Sequence, residues 1–182
     1  MKKRQKTNPK LTKKVKKCDN IGMKDYKKGE QVVHCRDGLA VIIDRIFMGD
    51  KEYYLAKTIR GEGENVYVPV ERAEVIIRPL LTINEADALL EKAKSFGIEF
   101  NSNTKQRRDA LKRRLSSGNV EDIMFLYKQL DFYKNHNDGS IKYGPVDLDM
   151  LNFAAKNLLD ELSIVYKIDR DKIDEFVAKK VF

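Results

Sequence analysis

The sequence predicts an α+β protein, a small antiparallel β-barrel followed by a compact domain of about five helices, and three observations predict it. Residues 24–81 hold four short runs rich in β-branched and aromatic residues, broken at Asp37-Gly38, Gly49-Asp50 and Gly61-Glu-Gly-Glu64. Such runs read as strands joined by tight turns. After residue 82 the apolar residues change to i, i+3, i+4 spacing, the period of helices with one buried face. The start of the chain, residues 1–23, is lysine-rich and fits neither pattern. The division is therefore 1–23, 24–81 and 82–182.

Residues 1–17 carry nine of the 36 Lys and Arg and none of the 28 acids, so the other 27 basic residues are balanced by acids and the net charge of +8 belongs to this tail. With Pro9 and few large apolar residues, residues 1–23 are expected to be disordered, because they bury too little to offset their ordering entropy. A lysine tail of this kind adds salt-dependent attraction to phosphates, or acts only as a solubilising extension.

The expected strands are Gln31–Cys35, Leu39–Met48, Glu52–Arg60 and Asn65–Val70, an antiparallel meander curling into a Tudor- or SH3-like barrel. In the last strand Val66, Val68 and Val70 alternate with Tyr67, which places the valines on the buried face and the tyrosine on the other. Pro69 cannot donate to a ladder, so this strand ends there or lies at an edge. Glu71 to Leu81 reads as a connector with one helical turn. Thr82-Ile-Asn-Glu85 is a capping box and starts a helix to about Ser95, with Ala86, Leu89, Leu90 and Ala93 inward. After a loop containing Phe96 and Phe100, a helix from Thr104 to Ser116 carries Lys105, Arg107, Arg108, Lys112, Arg113 and Arg114 against Asp109 alone. Its apolar stripe is thin, Leu111 and Leu115. Surface helices usually mix signs, so this helix is expected to contact phosphates. Asn119 caps a helix to about Asn135, with Ile123, Leu126, Tyr127, Leu130 and Tyr133 or Lys134 inward. Pro145 occupies a first helical position, and the helix to about Tyr166 has its inward stripe at Leu148, Leu151, Ala154, Ala155, Leu158, Leu159, Leu162 and Val165. Asp169 caps a last helix to about Lys179.

Several functions are disfavoured. No apolar run approaches membrane-spanning length, and no apolar signal core follows the amino-terminal lysines, so a cytoplasmic protein is expected. Cys18 and Cys35 have no metal or redox spacing. His34 and His136, the only histidines, fall in different regions, and Asp160-Glu161 and Asp174-Glu175 read as solvated helix faces. Gly61-Glu-Gly-Glu64 lacks the lysine, the hydroxyl residue and the helix of a phosphate loop. With no nucleophile and base, no metal cluster and no phosphate cradle, the chain is not expected to be an enzyme, and no cofactor or metal is expected.

Tyr26-Lys-Lys-Gly-Glu-Gln-Val-Val33, Asp37-Gly-Leu-Ala-Val-Ile-Ile43, Glu52-Tyr-Tyr-Leu55, Val66-Tyr-Val-Pro-Val-Glu71, Ile77-Arg-Pro79, residues 107–120 and Ala154-Ala-Lys-Asn-Leu-Leu-Asp-Glu-Leu162 follow one another in an order that resembles the bacterial CarD family, also called CdnL-type regulators. The resemblance covers about residues 24–180. It implies a nucleoid-associated, monomeric transcription regulator whose β-module pairs an edge strand with the RNA polymerase β subunit, a β-augmentation. It also implies a helical domain that touches promoter DNA at the upstream edge of the melted region, without sequence preference, and stabilises the open complex. On this reading Arg45, Phe47, Tyr67 and Val68 face polymerase, and Asn103, Thr104, Lys105, Arg107, Arg108 and Lys112 meet DNA. Two positions depart from the family: Thr104 stands where many members carry a minor-groove tryptophan wedge, so that the wedge is either lost or replaced by Phe100 of the preceding loop, and Tyr67 stands where some carry arginine. A second reading is a general RNA-binding or ribosome-associated protein using the tail and barrel.

Overall fold

The computed structural model describes residues 24–60, 63–136 and 139–182. The expectations for the tail, Cys18 included, and for Gly61 and Glu62 lie outside the described residues. The strands are β1 (Gln31–His34), β2 (Gly38–Met48), β3 (Lys51–Thr58), β4 (Asn65–Pro69) and β5 (Ile77–Pro79). They form one antiparallel sheet in the order β4-β3-β2-β1-β5. This sheet is open, not the closed barrel expected. A 3-10 turn (Val70–Arg72) and α1 (Ala73–Ile76) carry the chain away from β4 with Ala73 buried, and Ile77-Arg78-Pro79 then pairs with β1. The connector thus contains a fifth strand, and β4 and β5 are the two edges.

Register decides which side chains share a face. Ile42 pairs with Ala56 but Asp44 pairs with Leu55, so Ile43 is an extra residue in β2. Such a bulge inverts the alternation beyond it. Before it Ala40 and Ile42 face the core; after it Arg45 and Phe47 lie on that face, opposite Tyr54 and Glu52. The core of the sheet gathers Tyr26, Val32, Ile42, Tyr54, Val68 and Ile77, with the Tyr26 ring edge-on to Tyr54 at 5.7 Å.

The helices are α2 (Ile83–Lys94), α3 (Thr104–Ser117), α4 (Val120–Asn135), α5 (Pro145–Tyr166) and α6 (Arg170–Val181). Their ends follow local chemistry. The Thr82 hydroxyl accepts from the Glu85 N–H while the Glu85 carboxylate accepts from the Thr82 N–H. Asn103 and Asn119 cap α3 and α4, and Gly118 ends α3 with φ at 68°, a left-handed conformation that glycine adopts without a Cβ clash. Asp169 holds the N-cap position of α6 without a side-chain capping bond. Thr82→Ala removes one of these caps and is expected to cost about 1 kcal/mol of stability in urea unfolding.

The helices enclose their own core, centred on Leu90, Leu126, Leu130, Leu158, Leu162 and Ile173. The buried stripe of α5 starts at Asp147, which is fully buried, whereas Leu148 points outward. Asp160 and Glu161 are also buried rather than solvated. Their partners join the two cores. Glu161 accepts from both Nη atoms of Arg78 at 2.6 Å and from the Leu81 N–H at 2.8 Å. Asp160 lies 3.1 Å from Arg60 Nε and 2.5 Å from Arg170 Nε. Gly38, at φ 76°, packs so closely on α5 that a Cβ there would fall 2.7 Å from Asn157 Oδ1.

Candidate nucleic-acid interface and docking edge

Helix α3 is cationic, yet its cations do two different jobs. Relative to Leu111, the buried apolar residue of α3, Arg107 lies one turn back at i−4 and Arg108 at i−3, on the inward side. Arg107 is only 3% exposed; its guanidinium donates to the carbonyls of Asn101 at 3.2 Å and Lys142 at 2.8 Å, lies 3.5 Å from Asp147 and sits over the Tyr133 ring. Arg108 makes a two-pronged bond to Asp147, from Nε at 3.2 Å and Nη2 at 2.6 Å to Oδ2. Both arginines were expected to meet DNA; the structure instead commits them to α5. Arg114 is likewise bound, to Asp122 at 3.1 Å with its guanidinium over Phe125.

Asp147 is the hub of this arrangement. Burial alone raises a carboxyl pKa. Here the Arg108 hydrogen bond, the Gly144 N–H and the charges of both arginines outweigh it and hold Asp147 below the usual carboxylate value.

The cations that remain on the solvent side of α3 are Lys105, Lys112 and Arg113, all exposed and with no ion pair among the described residues. Lys105 and Lys112 share a stripe with Asp109 and Ser116, spaced at i, i+4, i+7 and i+11. Asn103 is exposed but its side chain accepts from the Gln106 N–H as the helix cap, and Thr104 is half-buried. Phe100 precedes this helix at 66% exposure, its ring edge-on to Phe132 at 6.2 Å. Thus α3 presents three free cations to solvent, and the loop before it presents a projecting aromatic ring. Arg113, absent from the expected set, is one of these free cations because helical spacing places it opposite Leu111.

On the sheet, Arg45, Phe47 and Tyr67 do not share a face. Tyr67 pairs with Leu55 and through it with Asp44, on the side opposite Arg45 and Phe47. Arg45 is tied to Asp25 at 2.8 Å and Glu52 at 2.6 Å and lies over the Tyr54 ring. The Val68 side chain is wholly buried, so that residue can offer a partner only its main chain. Ile46, Met48, Tyr53, Leu55, Tyr67 and Pro69 share the Tyr67 face by register, none of them buried. An apolar strip flanked by the exposed Asp44, Lys51 and Lys57 therefore runs up to β4, an edge strand with no second neighbour among the described residues.

His34 is buried, and its Nδ1 accepts from the N–H groups of Arg36 at 3.3 Å and Asp37 at 3.1 Å. Burial pushes its pKa down, Arg36 in the same sense and the Asp37 carboxylate against it. Among the described residues no three His, Cys, Asp or Glu side chains gather as a metal site, and no helix is long and apolar enough to cross a membrane. No protein-family model matches the chain, and no curated protein matches it.

Proposed function

We propose that this chain is a CarD-like transcription regulator that docks on the β subunit of bacterial RNA polymerase through β4 and contacts promoter DNA through α3, stabilising the open complex by binding energy alone. The observation that carries this reading is the combination, in one molecule, of an open strand edge bordered by an apolar face with a separate helix face of unpaired cations. Strand addition at β4 supplies main-chain hydrogen bonds, and Tyr67, Tyr53 and Leu55 supply side-chain contact. Lys105, Lys112 and Arg113 meet phosphates, which position a protein on nucleic acid without reading sequence. Phe100 takes the place of the tryptophan wedge and contacts the unstacked base step at the edge of the melted region. The Tudor-like barrel of this reading corresponds to the five-stranded sheet, with β4 left open for its partner. A preference for the open complex of about 1.4 kcal/mol shifts its equilibrium tenfold.

Two variants of the full chain test it separately. Tyr67→Glu is expected to weaken capture of purified RNA polymerase at least tenfold. The triple variant Lys105→Glu, Lys112→Glu, Arg113→Glu is expected to keep polymerase capture, to shorten open-complex lifetime, and to lower the salt slope of DNA binding by about one per lost phosphate contact. No polymerase capture by the full chain, with nearly all RNA affinity lost on deleting residues 1–22, would instead favour a tail-driven RNA binder. An unchanged salt slope in the triple variant removes α3 from the interface.

A further inference from the structure

Between the sheet and the helices runs an open groove of about 780 Å³. It adjoins an inner cleft of about 430 Å³ that is lined by more of the core, Val33, Ile123 and Leu158 among it, and the two share His34, Cys35, Val75, Ile76, Ser117 and Gly118 along their walls. The outer groove is floored by Val75, Ile76, Leu115 and Phe153, the inner cleft by Val33, Val120, Ile123 and Leu158. Val75 on α1 is 77% exposed, the most exposed large apolar side chain among the described residues. A single exposed aliphatic residue is ordinary; one at the lip of a concave apolar surface is a contact waiting for a partner.

The rim of the groove carries charge of one sign. Arg36, in the turn between β1 and β2, and Arg72, in the 3-10 turn before α1, both line it, both are exposed, and neither has an ion pair among the described residues. No acid lines the outer groove; Glu74 faces the inner cleft. An occupant must therefore bring apolar side chains for the floor and negative charge for the rim. Phosphates satisfy the rim, but nucleic-acid bases need stacking rings. Phe153 is the one open ring here, since the imidazole of His34 is buried and already accepts two N–H bonds. The aliphatic floor favours a polypeptide.

We propose that this groove is a second docking site, for an acidic peptide segment of a protein partner that seats apolar side chains between Val75, Leu115 and Phe153 and lays its carboxylates on Arg36 and Arg72. The site is distinct from the β4 edge and from the phosphate-facing residues Lys105, Lys112 and Arg113, none of which lines it, and does not depend on the function proposed for them. The Arg78–Glu161 clamp already holds the two walls together, so the groove is formed before a partner arrives.

The test is selection of random twelve-residue peptides displayed against the full chain, with counter-selection on a Val75→Asp, Arg36→Glu, Arg72→Glu variant. All three positions are exposed, and an unchanged thermal melt checks that the variant folds. The expected result is enrichment of sequences that combine Asp or Glu with Leu, Ile or Phe. A selected peptide is expected to bind at least tenfold more weakly to Val75→Asp and to Arg36→Glu/Arg72→Glu. In a Cys18→Ser background, where Cys35 is the remaining thiol, bound peptide is expected to slow Cys35 alkylation severalfold. The proposal is overturned if no sequence is enriched over the variant, if Cys35 alkylation is unaffected by saturating peptide, or if a twelve-nucleotide oligothymidine outcompetes the selected peptides for the groove.

Discussion

Asp147→Ala is expected to destabilise the protein by about 3–5 kcal/mol in urea unfolding, the range for removing one partner of a buried ion pair. The carboxylate is fully buried, and without it Arg107, itself buried, keeps two carbonyl acceptors but loses its counter-charge. Arg108, partly exposed, can turn to water. The loss therefore comes chiefly from Arg107. pH dependence separates this electrostatic contribution from packing. The folded-state pKa of Asp147 lies below the ordinary carboxylate value, so its contribution is fully present above the unfolded pKa of about 3.9 and is lost as pH falls through the lower folded value. The stability gap between the natural protein and Asp147→Asn is thus expected to be flat from about pH 7 to 5 and to narrow below about pH 4. A gap under about 1 kcal/mol at neutral pH contradicts the role given to Asp147.

Glu161→Ala is expected to act on the junction between the two cores. It removes the acceptor of both Arg78 prongs and of the Leu81 N–H, leaving that amide without its partner. Arg78 is partly exposed and regains hydration, so the cost is placed near the low end of the range for breaking buried pairs, about 3 kcal/mol. The location of the damage is more diagnostic than its size. Hydrogen exchange is expected to quicken at β5 and Leu81 while the amides around Leu126 and Leu130 keep their protection, since local openings follow the contacts that are lost. Uniform acceleration across both cores would mean that Glu161 supports the whole fold rather than the junction.

Much of this molecule can be read from local chemistry. The capping box at Thr82, the proline at 145 and the glycine at 118 mark helix ends within a residue or two of where they fall. Other features were legible and misweighted. Arg107 and Arg108 sit on the inward side of the helix marked by Leu111, and their phase, more than their charge, decided their fate. The same holds for Asp147, one residue before Leu148 and in the phase of Leu151, Ala154 and Leu158. Still others depend on pairings between residues far apart in sequence. Glu161 reads as a solvated acid until Arg78, 83 residues away, is brought to it. The three residues of β5 are too few to carry a strand pattern and become a strand only beside β1. The bulge at Ile43 has no local mark, yet it decides that Arg45 and Tyr67 look in opposite directions.

Helix α5 touches both halves of the molecule, gripping α3 through Asp147 and the sheet through Asn157, Asp160 and Glu161. Asp147 and Glu161 are fourteen residues apart on one unbroken helix, about 21 Å at 1.5 Å per residue. That helix works as the fixed arm of a calliper, with no hinge between its jaws. On the proposed function, partners docked at β4 and at α3 would be kept at one spacing and one azimuth, and torque on one would be delivered to the other instead of being absorbed by a flexible link. Inserting one residue in α5 between these grips would turn the jaws by about 100° while leaving each binding surface intact.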